Sequence, residues 1–145
     1  MNIIIVLALF FGSFFSAHAQ KDPVSWSFSI EKVGEDSYIW KAKATISSKW
    51  NIYAMDTPDE GPVPTSFDFE SNPSISWTSA VEVVTPAKQK FDPLFELEVK
   101  YHTKEAIFQR KFTSKTTNPR PQGMVSYMSC DDEKCLPPKD IKYAY

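Results

Sequence analysis

Apolar and polar residues alternate along most of the chain, which indicates β-strands with one buried side and one solvent-facing side. The alternation is clearest in five runs, whose apolar positions are Val24/Trp26/Phe28/Ile30, Trp40/Ala42/Ala44/Ile46, Phe67/Phe69, Ile75/Trp77 and Leu97/Val99. The 11 prolines fall largely between such runs and disfavour helices. We therefore predict an all-β fold, in which about eight or nine short strands form an antiparallel β-sandwich. The aromatic content of 14% fits this fold, because large rings fill the space between two sheets.

The first 19 residues have the pattern of a secretory signal peptide. An unbroken apolar run extends from Ile3 to Phe11, and Ala17-His18-Ala19 supplies the small residues that a signal peptidase requires. The run is shorter than the roughly 20 apolar residues of a transmembrane helix. An uncleaved anchor is the alternative, because no Lys or Arg precedes the run. We expect a signal peptide at residues 1–19 and one mature domain at residues 20–145, without a transmembrane segment.

Charge and potential metal ligands disfavour several other functions. The formal net charge is −2, and the basic residues are dispersed, whereas nucleic-acid binding requires clustered Lys and Arg. Of the two histidines, His18 lies in the predicted signal peptide and His102 in a strand-like run, where we interpret it as a surface or half-buried residue. His102, Cys130 and Cys135 are one ligand short of a structural zinc site. We predict neither a metal nor another cofactor.

Two cysteines, Cys130 and Cys135, carry the candidate chemistry, and the polar segment Asp131-Asp132-Glu133-Lys134 separates them. In an exported chain such a pair is first interpreted as a disulfide. Closing a loop of about six residues stabilises a fold by on the order of 2 kcal/mol, against about 4 kcal/mol for a loop of some 60 residues. The spacing alone leaves a structural link and a redox-active pair equally open. The acidic neighbours oppose thiol ionisation, so a partner's thiolate or disulfide would drive any exchange.

Several segments of the chain form a recognisable series. They are Trp50-Asn51-Ile52-Tyr53, Gly61-Pro62-Val63-Pro64-Thr65-Ser66-Phe67, Phe91-Asp92-Pro93-Leu94-Phe95-Glu96, Tyr127-Met128-Ser129-Cys130 and Cys135-Leu136-Pro137-Pro138. In this order they resemble the N-terminal periplasmic domain of the thiol:disulfide interchange protein family DsbD. The resemblance covers nearly the whole mature chain, and the cysteine segment with its trailing Pro-Pro is its most specific part.

The resemblance implies an immunoglobulin-like β-sandwich in the periplasm, as a free-standing version of the domain. It implies that Cys130 and Cys135 are the redox pair and that Cys135 is the attachment point for a partner. Phe91, with Phe95 as a second candidate, matches the aromatic residue of a cap loop over the disulfide, and Tyr53 matches a site-lining aromatic. The family also implies a membrane-embedded or thioredoxin-like electron donor and periplasmic thioredoxin-fold clients.

Two functions follow as alternatives. The first is a protein-disulfide reductase that relays electrons through Cys130 and Cys135. The second is a secreted immunoglobulin-like binding module in which the same disulfide is purely structural. From the residues alone, Phe91, Phe95 and Tyr53 are also explained as core aromatics. Reduction potential separates the two functions, because structural disulfides lie below about −300 mV and exchangeable ones above.

Overall fold

The computed structural model describes residues 21–145, so the predicted signal peptide lies outside the described residues. This part of the chain contains twelve strands. They are β1 (Val24–Lys32), β2 (Ser37–Ile46), β3 (Asn51–Tyr53), β4 (Ser66–Phe69), β5 (Ser76–Trp77), β6 (Glu82–Val83), β7 (Lys88–Asp92), β8 (Leu97–His102), β9 (Glu105–Thr113), β10 (Gly123–Tyr127), β11 (Ser129–Cys130) and β12 (Lys139–Lys142). Residues 21–145 include no helix with the length and apolar character to cross a membrane.

The strands form three antiparallel sheets. The first has the order β1-β2-β9-β5, and β6 also pairs with β9. The second has the order β12-β10-β4, and the third has the order β11-β3-β8-β7. The sheets pack as a sandwich, which confirms the predicted fold class. The strand number exceeds the prediction because β3, β6 and β11 have only two or three residues each, too few to produce a visible alternation.

Aromatic rings fill the space between the first and second sheets. Trp40 of β2 is fully buried, and its ring centre lies 5.0 Å from those of both Phe69 and Tyr143. Trp26 of β1 lies 5.5 Å from Tyr127 of β10, with the two rings tilted. Edge-to-face and offset arrangements of this kind stabilise aromatic pairs beyond the burial of their area. These contacts hold the two sheets together without a covalent link.

Asp22 ties the start of β1 to the second sheet. Its carboxylate accepts hydrogen bonds from the Tyr127 hydroxyl (2.9 Å), the Lys139 ammonium (2.6 Å) and the Val24 amide (2.9 Å). Burial by itself raises the pKa of Asp22, but these hydrogen bonds outweigh it, and the net effect lowers the pKa. The end of β10 is thereby fixed immediately before the chain enters β11 and reaches the first cysteine.

Gly123 begins β10 at a point where two strands approach closely. Its φ of +154° is rarely adopted by other residues, and Gly123 pairs with Phe69 of β4. A Cβ atom at this position would lie 2.0 Å from the Asp68 carbonyl oxygen and 2.7 Å from Cε2 of Tyr143. Both the backbone conformation and the lack of space therefore require glycine.

We expect Gly123→Ala to lower the free energy of unfolding by roughly 2 kcal/mol or more, from backbone strain and overpacking together. Urea denaturation followed by tryptophan fluorescence measures the loss. Gly34→Ala is the control, because a Cβ at Gly34 would meet no atom closer than 3.2 Å. Equal stability of the two variants would show that the close approach at Gly123 is absent in solution.

Candidate functional site

The two cysteines form a disulfide at the end of the third sheet. Their sulfur atoms are 2.02 Å apart and their Cα atoms 4.0 Å apart, slightly closer than the roughly 4.4–6.8 Å usual for disulfides. Cys130 ends β11, and Cys135 forms an isolated antiparallel bridge with it. The exposed fraction of Cys130 is 1%, whereas Cys135 is half-buried. The two cysteines therefore differ in their exposure to solvent.

Backbone hydrogen bonds explain why the cysteines meet. The amide of Asp131 donates to the Lys134 carbonyl, and the amide of Leu136 donates to the Ser129 carbonyl, both at 2.9 Å. These bonds lie on either side of the disulfide. The cysteines thus occupy the non-hydrogen-bonded position of a small hairpin, where facing Cα atoms approach most closely.

The tip of this hairpin is organised by the Asp131 side chain. Its Oδ1 atom accepts hydrogen bonds from the backbone amides of Glu133 (2.9 Å) and Lys134 (2.8 Å). These two hydrogen bonds lower the pKa of Asp131. The four residues between the cysteines are therefore held in one turn by a carboxylate that belongs to the turn itself.

A small apolar cluster surrounds the disulfide. Cys130 packs with Tyr53 of β3 and Val99 of β8, all of them buried. Half-buried side chains complete the cluster, namely Leu97, Tyr101, Met128 and Cys135. This cluster is separate from the aromatic layer between the first and second sheets. The disulfide therefore packs in this small cluster and not in the aromatic layer between the first and second sheets.

Tyr53 also fastens the turn between β7 and β8 to this cluster. Its hydroxyl donates a hydrogen bond of 2.9 Å to Oδ2 of Asp92, whose exposed fraction is 2%. The other carboxylate oxygen of Asp92 accepts from the Leu94 amide at 3.0 Å, and its backbone carbonyl accepts from the Glu96 amide at 2.8 Å. Burial and the neighbouring Asp92 raise the pKa of Tyr53, so the phenol stays neutral. The turn is thus held against β3 beside the disulfide.

The structure separates the two residues predicted for a cap. Phe95, in the β7–β8 turn, is half-buried, and its ring contacts the Tyr53 ring edge-to-face at 6.3 Å. Phe91 is 57% exposed. Its neighbours on β7, Lys90 and Asp92, both contact aromatic rings of the disulfide cluster. Because side chains alternate along a strand, Phe91 projects from the opposite side of the hairpin.

Two further residues of this turn were not singled out from the sequence. Leu94 is 56% exposed and lines a cleft of about 60 Å³ between the turn and Asp131 and Asp132 of the disulfide hairpin. Asp92 is the other. The Asp92-Pro93 pair is a turn signal, but the contact between Asp92 and Tyr53 joins positions 39 residues apart. No local pattern reveals such a contact.

His102 lies on the other face of the third sheet. The interpretation of His102 as a surface or half-buried residue is wrong, because its exposed fraction is 2% and its ring packs edge-on against Phe108 at 5.8 Å. Burial lowers the pKa of His102, and Asp56 acts in the opposite direction. Alternation along β8 places His102 and the cluster residue Tyr101 on opposite sides of the sheet. His102 therefore takes no part in the disulfide site.

Comparison with known proteins identifies the fold. No protein-family model and no curated protein sequence matches the chain. The N-terminal periplasmic domain of ScsB from Proteus mirabilis is similar, with a TM-score of 0.58 and 15% identity over 86% of this chain and 46% of the ScsB chain. The DsbD N-terminal domain of Neisseria meningitidis, in its reduced form, gives a TM-score of 0.53 and 15% identity over 81% of this chain and 82% of that one.

A third similar structure is the complex between the DsbD and PilB N-terminal domains of Neisseria meningitidis, with a TM-score of 0.49 and 13% identity over 81% of this chain and 80% of that one. This chain spans less than half of the ScsB chain, at 46%. At 15% identity, the similarities to the ScsB domain and to the reduced DsbD domain establish the fold alone. It is the immunoglobulin-like sandwich of the DsbD N-terminal domain, and here it carries a Cys130–Cys135 disulfide.

Proposed function

We propose that this chain is a periplasmic thiol–disulfide exchange protein of the DsbD N-terminal type. Its Cys130–Cys135 pair relays electrons from a membrane-embedded or thioredoxin-like thiol carrier to thioredoxin-fold clients. The observation that carries the proposal is the unequal exposure of the two cysteines, with Cys130 1% exposed and Cys135 half-buried. An attacking thiolate reaches one sulfur, and the other is the leaving group. The fold shared with the ScsB and DsbD N-terminal periplasmic domains supports the same function.

The small contribution of the disulfide to stability also favours exchange. A loop of about six residues gives on the order of 2 kcal/mol. The first and second sheets are joined by aromatic packing, and the disulfide lies in a separate cluster. Opening the bond therefore leaves the sandwich intact, which a recurring redox step requires.

The exchange is balanced in electrons and protons. In the reduced domain, the Cys135 thiolate attacks a client disulfide, and one client sulfur leaves as a thiolate and takes up a proton. The Cys130 thiolate then attacks the Cys135 sulfur, which re-forms Cys130–Cys135 and releases the client dithiol. Two electrons have passed to the client. One thiolate of a donor dithiol then attacks Cys135, so that Cys130 leaves as a thiolate and takes up a proton. The second donor thiolate attacks the donor sulfur of this mixed disulfide, which closes the donor disulfide. Cys135 leaves as a thiolate and takes up a proton, and the domain is reduced again.

A second candidate function is a secreted immunoglobulin-like binding module with a structural disulfide. Its supporting observation is the burial of Cys130 in the cluster with Tyr53 and Val99. A sulfur atom that no partner reaches is equally suited to a permanent, structural disulfide. The two candidates differ in the reactivity of Cys135.

Single-cysteine variants test the relay. We expect the Cys130→Ala variant, which keeps the accessible Cys135 thiol, to form a mixed disulfide with a thioredoxin-fold protein that carries 5-thio-2-nitrobenzoate on one active-site cysteine. The Cys135→Ala variant keeps only the buried thiol and reacts at least about tenfold more slowly, since access controls exchange. Release of thionitrobenzoate, followed by absorbance, gives both rates.

The control is the same measurement on both variants unfolded in urea. Their rates of thionitrobenzoate release should then agree, because neither thiol is shielded in an unfolded chain. Slow reaction of both folded variants would contradict the relay and favour the binding module. Faster reaction of Cys135→Ala would reverse the assigned order of attack.

The turn between β7 and β8 shields the disulfide from unspecific thiols in this proposal. Phe95 is the residue we assign to the shield, since it packs on Tyr53, which in turn packs on Cys130. Phe91 projects to the other side of the same hairpin. The two phenylalanines therefore form a matched pair for experiment.

We expect Phe95→Ala to accelerate reduction of the disulfide by glutathione about three- to tenfold, because an aromatic contact that closes the turn is lost. Phe91→Ala should leave the rate unchanged within about twofold, since it removes no contact with the cluster. Rates are measured by quenching with an alkylating agent and mass spectrometry. A larger effect of Phe91→Ala would place the shield on that residue instead.

A further inference from the structure

We propose that Asp131 is a positioning residue that sets the reduction potential of the Cys130–Cys135 pair, by holding the loop in the shape that keeps the two sulfurs adjacent when the bond is open. The inference deepens the proposed function and rests on it for its biological meaning. It assigns a role to a residue that the exchange chemistry itself does not use.

Asp131 closes the loop through both its backbone and its side chain. The backbone amide donates to the Lys134 carbonyl at 2.9 Å, while Oδ1 accepts from the Lys134 amide at 2.8 Å and the Glu133 amide at 2.9 Å. Hydrogen bonds to an ionised acceptor are stronger than those between neutral groups. The lowered pKa of Asp131 agrees with this, because the same two amides favour the ionised carboxylate.

The turn and the disulfide order the same four residues, so each reduces the conformational entropy that the other must overcome. Their coupling is reciprocal: whatever stability the disulfide gives to the turn, the turn gives to the disulfide. An ordered turn raises the effective concentration of one thiol at the other. The disulfide becomes more stable, the reduction potential becomes more negative, and the dithiol becomes the stronger reductant.

The neighbouring acidic residues separate this effect from charge. Asp132 and Glu133 are exposed, and in the part of the chain that the structure describes neither carboxylate makes a hydrogen bond within the loop. Asp132 is the next residue in the chain and carries the same charge as Asp131. Asp132→Asn therefore removes a charge from the loop and leaves the turn intact, whereas Asp131→Asn removes the charge and keeps an acceptor oxygen.

The test is the equilibrium of each protein with glutathione, in which the disulfide and two glutathione thiols give the dithiol and oxidised glutathione. We expect Asp131→Ala to lower the effective concentration of the thiol pair about three- to tenfold, since two hydrogen bonds are lost. This corresponds to a potential about 14–30 mV less negative. Asp131→Asn should change the potential by less than half as much as Asp131→Ala. Asp132→Asn should leave the effective concentration of the thiol pair within about 1.5-fold of that in the unaltered protein.

A second readout follows from the reciprocity. We expect the pKa of the Asp131 carboxyl, measured by NMR, to be lower in the disulfide form than in the dithiol form, because reduction loosens the turn. A residue with a purely structural role would show the same pKa in both forms. Equal pKa values, or an Asp131→Ala shift no larger than that of Asp132→Asn, would overturn the role of Asp131.

The same titration distinguishes failure of this inference from failure of the proposed function. If the unaltered disulfide stays oxidised at every glutathione ratio, the relay fails, and the three variants are then compared in a dithiothreitol buffer. If the unaltered disulfide titrates normally and Asp131→Ala matches Asp132→Asn, only the role of Asp131 fails.

Discussion

Aromatic packing between the first and second sheets is the interaction on which the rest of the domain depends. Trp40 contacts rings from both β4 and the C-terminal segment, and Trp26 contacts β10. Each such pair contributes about 0.5–1.5 kcal/mol beyond area burial, and many pairs act together. Because this layer holds the sandwich, opening of the disulfide of the third sheet, as the proposed relay requires, would leave the fold intact. A domain that needed the bond for folding could not use it for exchange.

The disulfide site combines rigidity with unequal access. Two hairpins of the third sheet line one small cleft: the β7–β8 turn is fixed by the hydrogen bond from Tyr53 to Asp92, and the cysteine hairpin is fixed by Asp131. Both are held by carboxylates that accept more than one hydrogen bond. The result is a disulfide with Cys130 buried and Cys135 half-buried. In the proposed relay this asymmetry makes the exchange directional, since an attacking thiolate meets one cysteine and expels the other.

Much of the fold was predictable from the sequence, because period-two alternation reports directly which side of a strand is buried. It identified β1, β2, β4, β5 and β8 and the sandwich class. Contacts between distant segments were not predictable. The pairing of Tyr53 with Asp92, the burial of His102, and the opposite directions of Phe91 and Phe95 all depend on which strands become neighbours. The short loop predicted that the cysteines could bond, but their unequal exposure arises from packing against β3 and β8.

The kinetics of reduction of the folded domain test electron transfer most directly. The rate of opening of Cys130–Cys135 by a reduced thioredoxin-fold dithiol is measured at increasing dithiol concentrations and compared with the rate of global unfolding. Reduction of the native protein should be bimolecular, rising linearly with dithiol and exceeding the unfolding rate. A rate that levels off at the unfolding rate would contradict electron transfer, because the disulfide would then react only after the sandwich had come apart.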